Sequence, residues 1–177
     1  HRKAVAAIKE GRFTEEIVPV EIKDRKKGTI VFDTDEIPRE DTSLESLARL
    51  PAIFKKDGSI TAGSSSALCD AGSAYIVADS DWAKANGFTP LAEIVGYASG
   101  ALDALHMGLG PTVAMPKALE MAKMSMEDME IIEINEAFSS QILACHRVMK
   151  FDMDKLNPCG GAIALGHPIG ATGGKIL

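Results

Sequence analysis

His167 is the residue of this chain whose surroundings best suit proton transfer. It lies in residues 160–177, a segment that holds six glycines, and Pro168 follows it directly. Glycine permits close approaches and backbone angles that other residues resist, and a residue before proline is held away from the helical conformation. The local sequence can therefore aim the ring. Because imidazole also changes its protonation state near neutral pH, we interpret His167 as an active-site residue.

Asn135 is the second candidate, because it follows the strand-like run 130–134 directly. One interpretation is a helix N-cap, in which the side chain accepts a hydrogen bond from an otherwise unpaired backbone amide. The other is a ligand-binding position, because ligands of α/β folds tend to lie beyond the carboxyl ends of the strands. The position alone favours the cap. A third segment, the hydroxyl-rich run 61–66, has a solvated loop as its simplest interpretation.

Phosphate-binding loops and metal sites are not indicated by the sequence. A Walker loop needs a glycine where Ile169 stands and a hydroxyl residue where Ile176 stands. The dinucleotide fingerprint that Gly108 begins has Val113 in place of its last glycine. The three cysteines form no CxxC pair and no metal-ligand spacing with the four histidines. We therefore expect no metal and reduced thiols in an intracellular setting.

Apolar periodicity and turn residues predict the elements that must position these side chains. The first part of the chain resembles a partly polar appendage, with a helix over 1–11, strands over 16–22 and 29–32 joined by a charged turn, and a helix over 44–50. From residue 73 strands and helices alternate: strand 74–78, helix 81–86, strand 91–95, helix 113–124, strand 130–134 and helix 136–149. This alternation predicts an α/β fold with helices on the faces of a sheet.

Composition narrows the classes of partner. The chain is 46% hydrophobic and 25% charged with a net charge of −6, and no apolar run reaches membrane-spanning length. A net negative charge argues against a nucleic-acid partner, which requires a concentrated basic surface. We expect a cytoplasmic protein that binds neither nucleic acid nor membrane. Both ends of the sequence fall inside predicted elements, so we expect a partial chain.

Together, the motifs of this chain resemble those of the thiolase family, in matching order and along essentially the whole sequence. The matching blocks are 1–4 with 16–19, 35–39, 61–66, 107–111, 135–138 and 160–168. The resemblance implies a layered αβαβα fold. It assigns residues 1–60 to the end of the loop domain that covers coenzyme A and residues 61–177 to a truncated C-terminal domain. It also implies homodimers or homotetramers.

The resemblance implies acyl transfer between coenzyme A thioesters through an acyl-cysteine, with CoA thioesters as substrates and no separate cofactor. In the family, the histidine matching His167 activates the nucleophilic cysteine and helps to form an oxyanion hole. The asparagine matching Asn135 holds a water molecule in the same hole. The acid that follows it, Glu136, has a helix N-terminus as its structural interpretation.

Contacts to coenzyme A are carried over from the same resemblance. Ser66 matches a serine that bonds the pantetheine arm, Met107 packs on that arm, and Phe138 walls its tunnel. The nucleotide end is assigned to Arg39 and Ser46. Ala62, in the 61–66 block, is assigned to the same substrate site.

Both thiols of the family's mechanism fall outside this sequence. Cys69, Cys145 and Cys159 match neither of them, so we expect the 177 residues alone not to turn over. Acetyl-CoA C-acetyltransferase is the first choice of activity, and a longer-chain 3-ketoacyl-CoA thiolase is the alternative. A β-ketoacyl synthase is disfavoured because that family usually has histidine at position 135. A non-catalytic subunit that binds CoA thioesters is the rival from another class.

Overall fold

The computed structural model describes all residues from 1 to 177. Seven α-helices and one hairpin make up its regular structure, and two 3₁₀ turns cover Ala62–Ser64 and Ala104–Leu109. In chain order the elements are α1 (Arg2–Lys9), β1 (Val20–Asp24), β2 (Gly28–Phe32), α2 (Leu44–Ala48), α3 (Ser80–Ala85), α4 (Gly110–Ala122), α5 (Ser139–Met149), α6 (Ala162–Leu165) and α7 (Thr172–Ile176). No helix of the chain combines the length and the apolarity that crossing a bilayer requires.

The hairpin confirms the predicted pair of strands around a charged turn. Strands β1 and β2 are antiparallel, and Val20 pairs with Phe32 at the open end. At the turn, the Asp24 carboxylate accepts hydrogen bonds from the amides of Lys26 and Lys27, each at 2.7 Å. These two amides lower the pKa of Asp24. The first strand begins later than predicted, after Pro19, which has no amide proton to donate.

The structure corrects the three other strand predictions. Residues 74–78 and 91–95 form no strand, and their side chains are exposed rather than buried; Ile76 keeps 99% of its accessible surface. Residues 130–134 form only an isolated parallel bridge, from Ile132 to Leu156. A strand exists only when a second segment lies alongside to complete its backbone hydrogen bonds. No segment among these 177 residues lies beside residues 74–78 or 91–95 in this way.

The hydrophobic core lies under α5. It consists of six buried side chains: Ile132, Ile134, Ile142, Cys145, Phe151 and Leu156. Helix α5 contributes two of them from one face, as expected for an amphipathic helix. The core therefore fixes α5 against the 132–134 segment, and the link between the two contains Asn135.

Candidate active site

His167 is held between two short helices. Helix α6 ends at Leu165 and is followed by Gly166, whose φ of +85° is a conformation that other residues rarely adopt. A Cβ at that position would lie 2.4 Å from the sulfur of Cys69. The next amide, that of His167, donates to the carbonyl of Ala67 at 2.8 Å. The backbone hydrogen bond and the conformation of Gly166 therefore fix the position from which the His167 side chain extends.

A threonine sets the tautomer of the ring. The Oγ1 of Thr172 lies 2.7 Å from Nδ1 of His167, and the same hydroxyl donates to the carbonyl of Pro168 at 3.0 Å. Because its proton is used on Pro168, the hydroxyl oxygen accepts from Nδ1–H. In the neutral ring this leaves Nε2 without a proton. The nitrogen that can take a proton is therefore Nε2.

Asn135 faces that nitrogen. Its Nδ2 lies 3.3 Å from Nε2 of His167, a separation at the long end of the hydrogen-bonding range. Its Oδ1 is buried and has no hydrogen-bond partner within the chain. Buried amide oxygens are normally paired, so Asn135 retains an acceptor for a group from outside the chain.

The structure rejects the helix-cap interpretation of Asn135. Helix α5 begins at Ser139, with Phe138 as the residue that precedes it. Residues 135–138 form no part of the helix, because Phe138 bridges Ser65 antiparallel and the amide of Ser66 donates to the carbonyl of Ala137 at 3.1 Å. This pairing keeps the asparagine outside the helix.

Glu136 is also placed differently from the sequence interpretation. It is not in the first turn of α5. Its Oε1 accepts from Nδ2 of Asn157 at 3.0 Å, and its Oε2 accepts from the amide of Ile163 at 3.1 Å. Ile163 is in the first turn of α6, so the carboxylate stabilises the helix that leads to His167.

The predicted contacts to coenzyme A separate into two groups. Ser66 and Phe138 lie beside the Asn135 segment, and the Phe138 ring packs edge-to-face on that of Phe54, with centroids 5.9 Å apart. Ala62 is exposed in the neighbouring 3₁₀ turn. Met107, in the second 3₁₀ turn, is also exposed.

Arg39 and Ser46 form the second group, and no hydrogen bond joins either to the histidine site. The amide of Arg39 donates to Nδ1 of His1 at 3.2 Å. The hydroxyl of Ser46 accepts from the amide of Ser43 at 3.0 Å and completes the cap of α2. The structure therefore gives Ser46 a local structural role.

Two family profiles match the chain. The profile described as "Thiolase, N-terminal domain" matches residues 1–81, and "Thiolase, C-terminal domain" matches residues 88–177. The chain belongs to the thiolase family. This confirms the resemblance read from the sequence motifs.

Curated relatives carry two kinds of name. An acetyl-CoA acetyltransferase of Escherichia coli is 48% identical over 176 residues, which are 99% of this chain and 44% of that protein. A human mitochondrial 3-ketoacyl-CoA thiolase is 47% identical over 171 residues, which are 97% of this chain and 43% of that protein. This thiolase chain thus spans less than half the length of the curated relatives it matches.

Solved structures confirm the thiolase-like α/β fold. The crystal structure of human mitochondrial 3-ketoacyl-CoA thiolase matches with a TM-score of 0.87 and 42% identity, over 99% of this chain and 44% of that one. The same human enzyme in complex with CoA matches with a TM-score of 0.80 and 40% identity, over 94% and 41% of the two chains.

Sequence reasoning missed two residues of this candidate site, Thr172 and Asn157. Thr172 follows His167 by five residues, and it lies outside the motif 160–168 that points to the histidine. Asn157 is 2% exposed and stands shortly before the paired glycines Gly160 and Gly161. A buried asparagine next to a glycine-rich turn is the one signal that could have drawn attention to it.

Thr172→Val removes the hydroxyl that fixes the ring while nearly preserving side-chain volume. We expect the rate of a reaction in which His167 takes up a proton to fall roughly tenfold, the value of one lost hydrogen bond, because the ring can then rotate or change tautomer. The assay uses a complete chain that carries these residues and both family cysteines. Thr172→Ser should restore the rate. The control is Thr112→Val, which removes a hydroxyl of α4 that donates to the carbonyl of Leu109, the residue before that helix. Equal losses of rate in the two valine variants would contradict this role for Thr172.

Proposed function

We propose that this chain forms the base and oxyanion part of an acetyl-CoA C-acetyltransferase. The observation that carries the proposal is the His167 ring, whose Nδ1 is bonded to Thr172 while Nε2 faces the amide of Asn135. The substrates are CoA thioesters, and the reaction needs no further cofactor. The acetyl-CoA acetyltransferases among the relatives support this choice of acyl group.

The first step is transfer of the acetyl group to a cysteine thiol. Nε2 of His167 takes the proton of that thiol, and the sulfur attacks the thioester carbonyl carbon. The carbonyl oxygen gains negative charge in the tetrahedral adduct. Collapse of the adduct breaks the bond to the CoA sulfur, which receives the proton from Nε2. The chain thus supplies a base that becomes an acid.

Stabilisation of the oxyanion uses the same two side chains. Once protonated, Nε2–H is a donor, and Asn135, whose amide nitrogen lies 3.3 Å from Nε2, holds a water molecule that donates to the same oxyanion. Donors arranged before the reaction stabilise charge that develops in the transition state. Neither side chain adds a fixed negative charge, which would oppose the oxyanion. The arrangement therefore serves both proton transfer and stabilisation of the oxyanion.

Binding of the pantetheine arm is assigned to Ser66, Met107, Phe138 and Ala62, with Arg39 and Ser46 towards the nucleotide. The relative whose structure contains CoA supports a CoA site in this fold.

Burial raises the pKa of the Cys145 thiol, so the thiol remains protonated and donates to the carbonyl of Gly108 at 3.3 Å. This bond steadies the turn that carries Met107.

The same proposal includes three further points: a division into residues 1–60 and 61–177, a homodimeric or homotetrameric assembly, and a cytoplasmic location.

A longer-chain 3-ketoacyl-CoA thiolase is the second candidate, favoured by the mitochondrial relatives. A panel of 3-oxoacyl-CoA thioesters of increasing length separates the two. A preference for acetoacetyl-CoA supports the first.

A steady-state thiolysis assay tests the proposal in two preparations. A complete chain with both family cysteines should cleave acetoacetyl-CoA in the presence of CoA. The 177 residues alone should not, because no cysteine sulfur is hydrogen-bonded to the His167 ring. Turnover by these residues alone would contradict the assignment of the thiols. CoA binding without turnover by the complete chain would instead support a non-catalytic subunit.

A further inference from the structure

The carboxylate of Glu136 joins the two segments that carry the candidate catalytic side chains. Glu136 follows Asn135 directly, and its Oε2 accepts from the amide of Ile163 in α6. Helix α6 ends at Leu165, and only Gly166 separates it from His167. One carboxylate therefore links the residue beside the asparagine to the helix before the histidine.

Asn157 fixes the other side of this carboxylate. Its buried side chain pairs with the backbone of Ile134 as a neighbouring strand would. Oδ1 accepts from the amide of Ile134, and Nδ2 donates to the carbonyl of Ile134, both at 2.9 Å. The backbone amide of Asn157 donates to the carbonyl of Ile132 at 2.8 Å. Nδ2 also donates to Oε1 of Glu136 at 3.0 Å. Asn157 thus ties Glu136 to the backbone on the other side of Asn135.

Packing leaves the carboxylate little freedom. A Cβ added at Gly161 would lie 2.2 Å from the Cδ of Glu136 and 2.4 Å from its Oε2. The carboxylate therefore lies directly against the backbone of Gly161, in space that any side chain would occupy. Two hydrogen bonds and this contact hold the Glu136 side chain in one rotamer. The distance between the Asn135 segment and α6, which the carboxylate connects, is therefore fixed.

We propose that Glu136 and Asn157 are a positioning pair that sets the separation between Nδ2 of Asn135 and Nε2 of His167. The inference rests on the proposed function, because the separation matters only if the two side chains act together. Neither member of the pair contacts the reacting atoms. Its effect is on kcat, since the correct placement of both groups is needed only as the oxyanion forms.

Three variants of the complete chain test the pair. Glu136→Gln replaces one carboxylate oxygen by an amide N–H group. That group then faces one of the two N–H donors that the carboxylate accepts from, Nδ2 of Asn157 or the amide of Ile163. Asn157→Asp places a carboxylate oxygen against both the Glu136 carboxylate and the Ile134 carbonyl. The double variant restores one bond with its direction reversed, because the new glutamine can donate to the new aspartate while still accepting from the amide of Ile163. The matched control is Glu120→Gln, because the Glu120 side chain is exposed on α4 and forms no salt bridge.

We expect Glu136→Gln to lower kcat for thiolysis roughly 10- to 100-fold, with KM changed by no more than about twofold. The double variant should recover part of this loss, and the control should retain the parent rate. In crystal structures, the Asn135–His167 separation should exceed about 3.5 Å, the hydrogen-bonding limit, in Glu136→Gln and shorten again in the double variant.

An unchanged kcat in Glu136→Gln, a change in KM alone, or a double variant slower than both single variants would overturn the proposal. The crystallographic distances separate its failure from failure of the proposed function. If the complete chain has no thiolase activity, an unchanged separation in Glu136→Gln still overturns the pair. A lengthened separation that the double variant restores still supports it.

Discussion

Replacing His167 by alanine should abolish acyl-enzyme formation. The variant loses the only ring positioned by Thr172 and Asn135, so the nucleophilic thiol must lose its proton to water. General-base catalysis contributes between about 100- and 10,000-fold, and loss of the Nε2–H donor adds to this effect. The measurement is labelling of a complete chain, with both cysteines, by radiolabelled acetyl-CoA.

The control for His167→Ala is a second histidine substitution. His106 lies in the 3₁₀ turn 104–109 and is exposed. His106→Ala should be labelled at the parent rate. Normal labelling of His167→Ala would remove the histidine from the mechanism proposed here, whatever the overall activity of the enzyme.

Replacing Asn135 by alanine should lower kcat for thiolysis roughly 100- to 1,000-fold, the usual effect of removing one oxyanion donor. The backbone around residue 135 should keep its course, because Phe138 remains bridged to Ser65 and Asn157 remains bonded to Ile134. KM should change little, since the pantetheine contacts remain. Steady-state kinetics with acetoacetyl-CoA and CoA measure both constants.

Asn86→Ala provides the matched asparagine control. Asn86 is exposed after the last residue of α3 and donates only to the carbonyl of Trp82. Its replacement should leave both kinetic constants unchanged. If Asn135→Ala instead raised KM and left kcat intact, Asn135 would be a binding residue and not part of the oxyanion site.

Helices could be predicted from this sequence because their signals are local. Asp79 caps α3 through the amides of Asp81 and Trp82, and the glycine that ends the segment has a positive φ. Both features can be recognised within a few residues. The strand predictions at 74–78 and 91–95 were wrong, because apolar alternation shows only that a segment could pair and not that a partner is present.

The same distinction applies to the site. His167 was identified from its glycine-rich surroundings and from the family motif, and its position next to Asn135 is seen in the structure. Thr172 and Asn157 were not identified, because each acts through a contact that depends on the folded chain. Glu136 was misplaced because the start of α5 was predicted three residues too early; pairing with the Ser65 segment delays the helix.

The exposed segment 74–78 has a consequence for handling the isolated chain. It consists of small, β-branched and aromatic residues without a charge, and its backbone amides have no strand partner. Short uncharged segments of this composition are the ones that nucleate intermolecular cross-β assembly. We therefore expect concentrated solutions of the chain to aggregate through this segment, because the composition that suits it to a sheet interior also suits it to pairing between molecules.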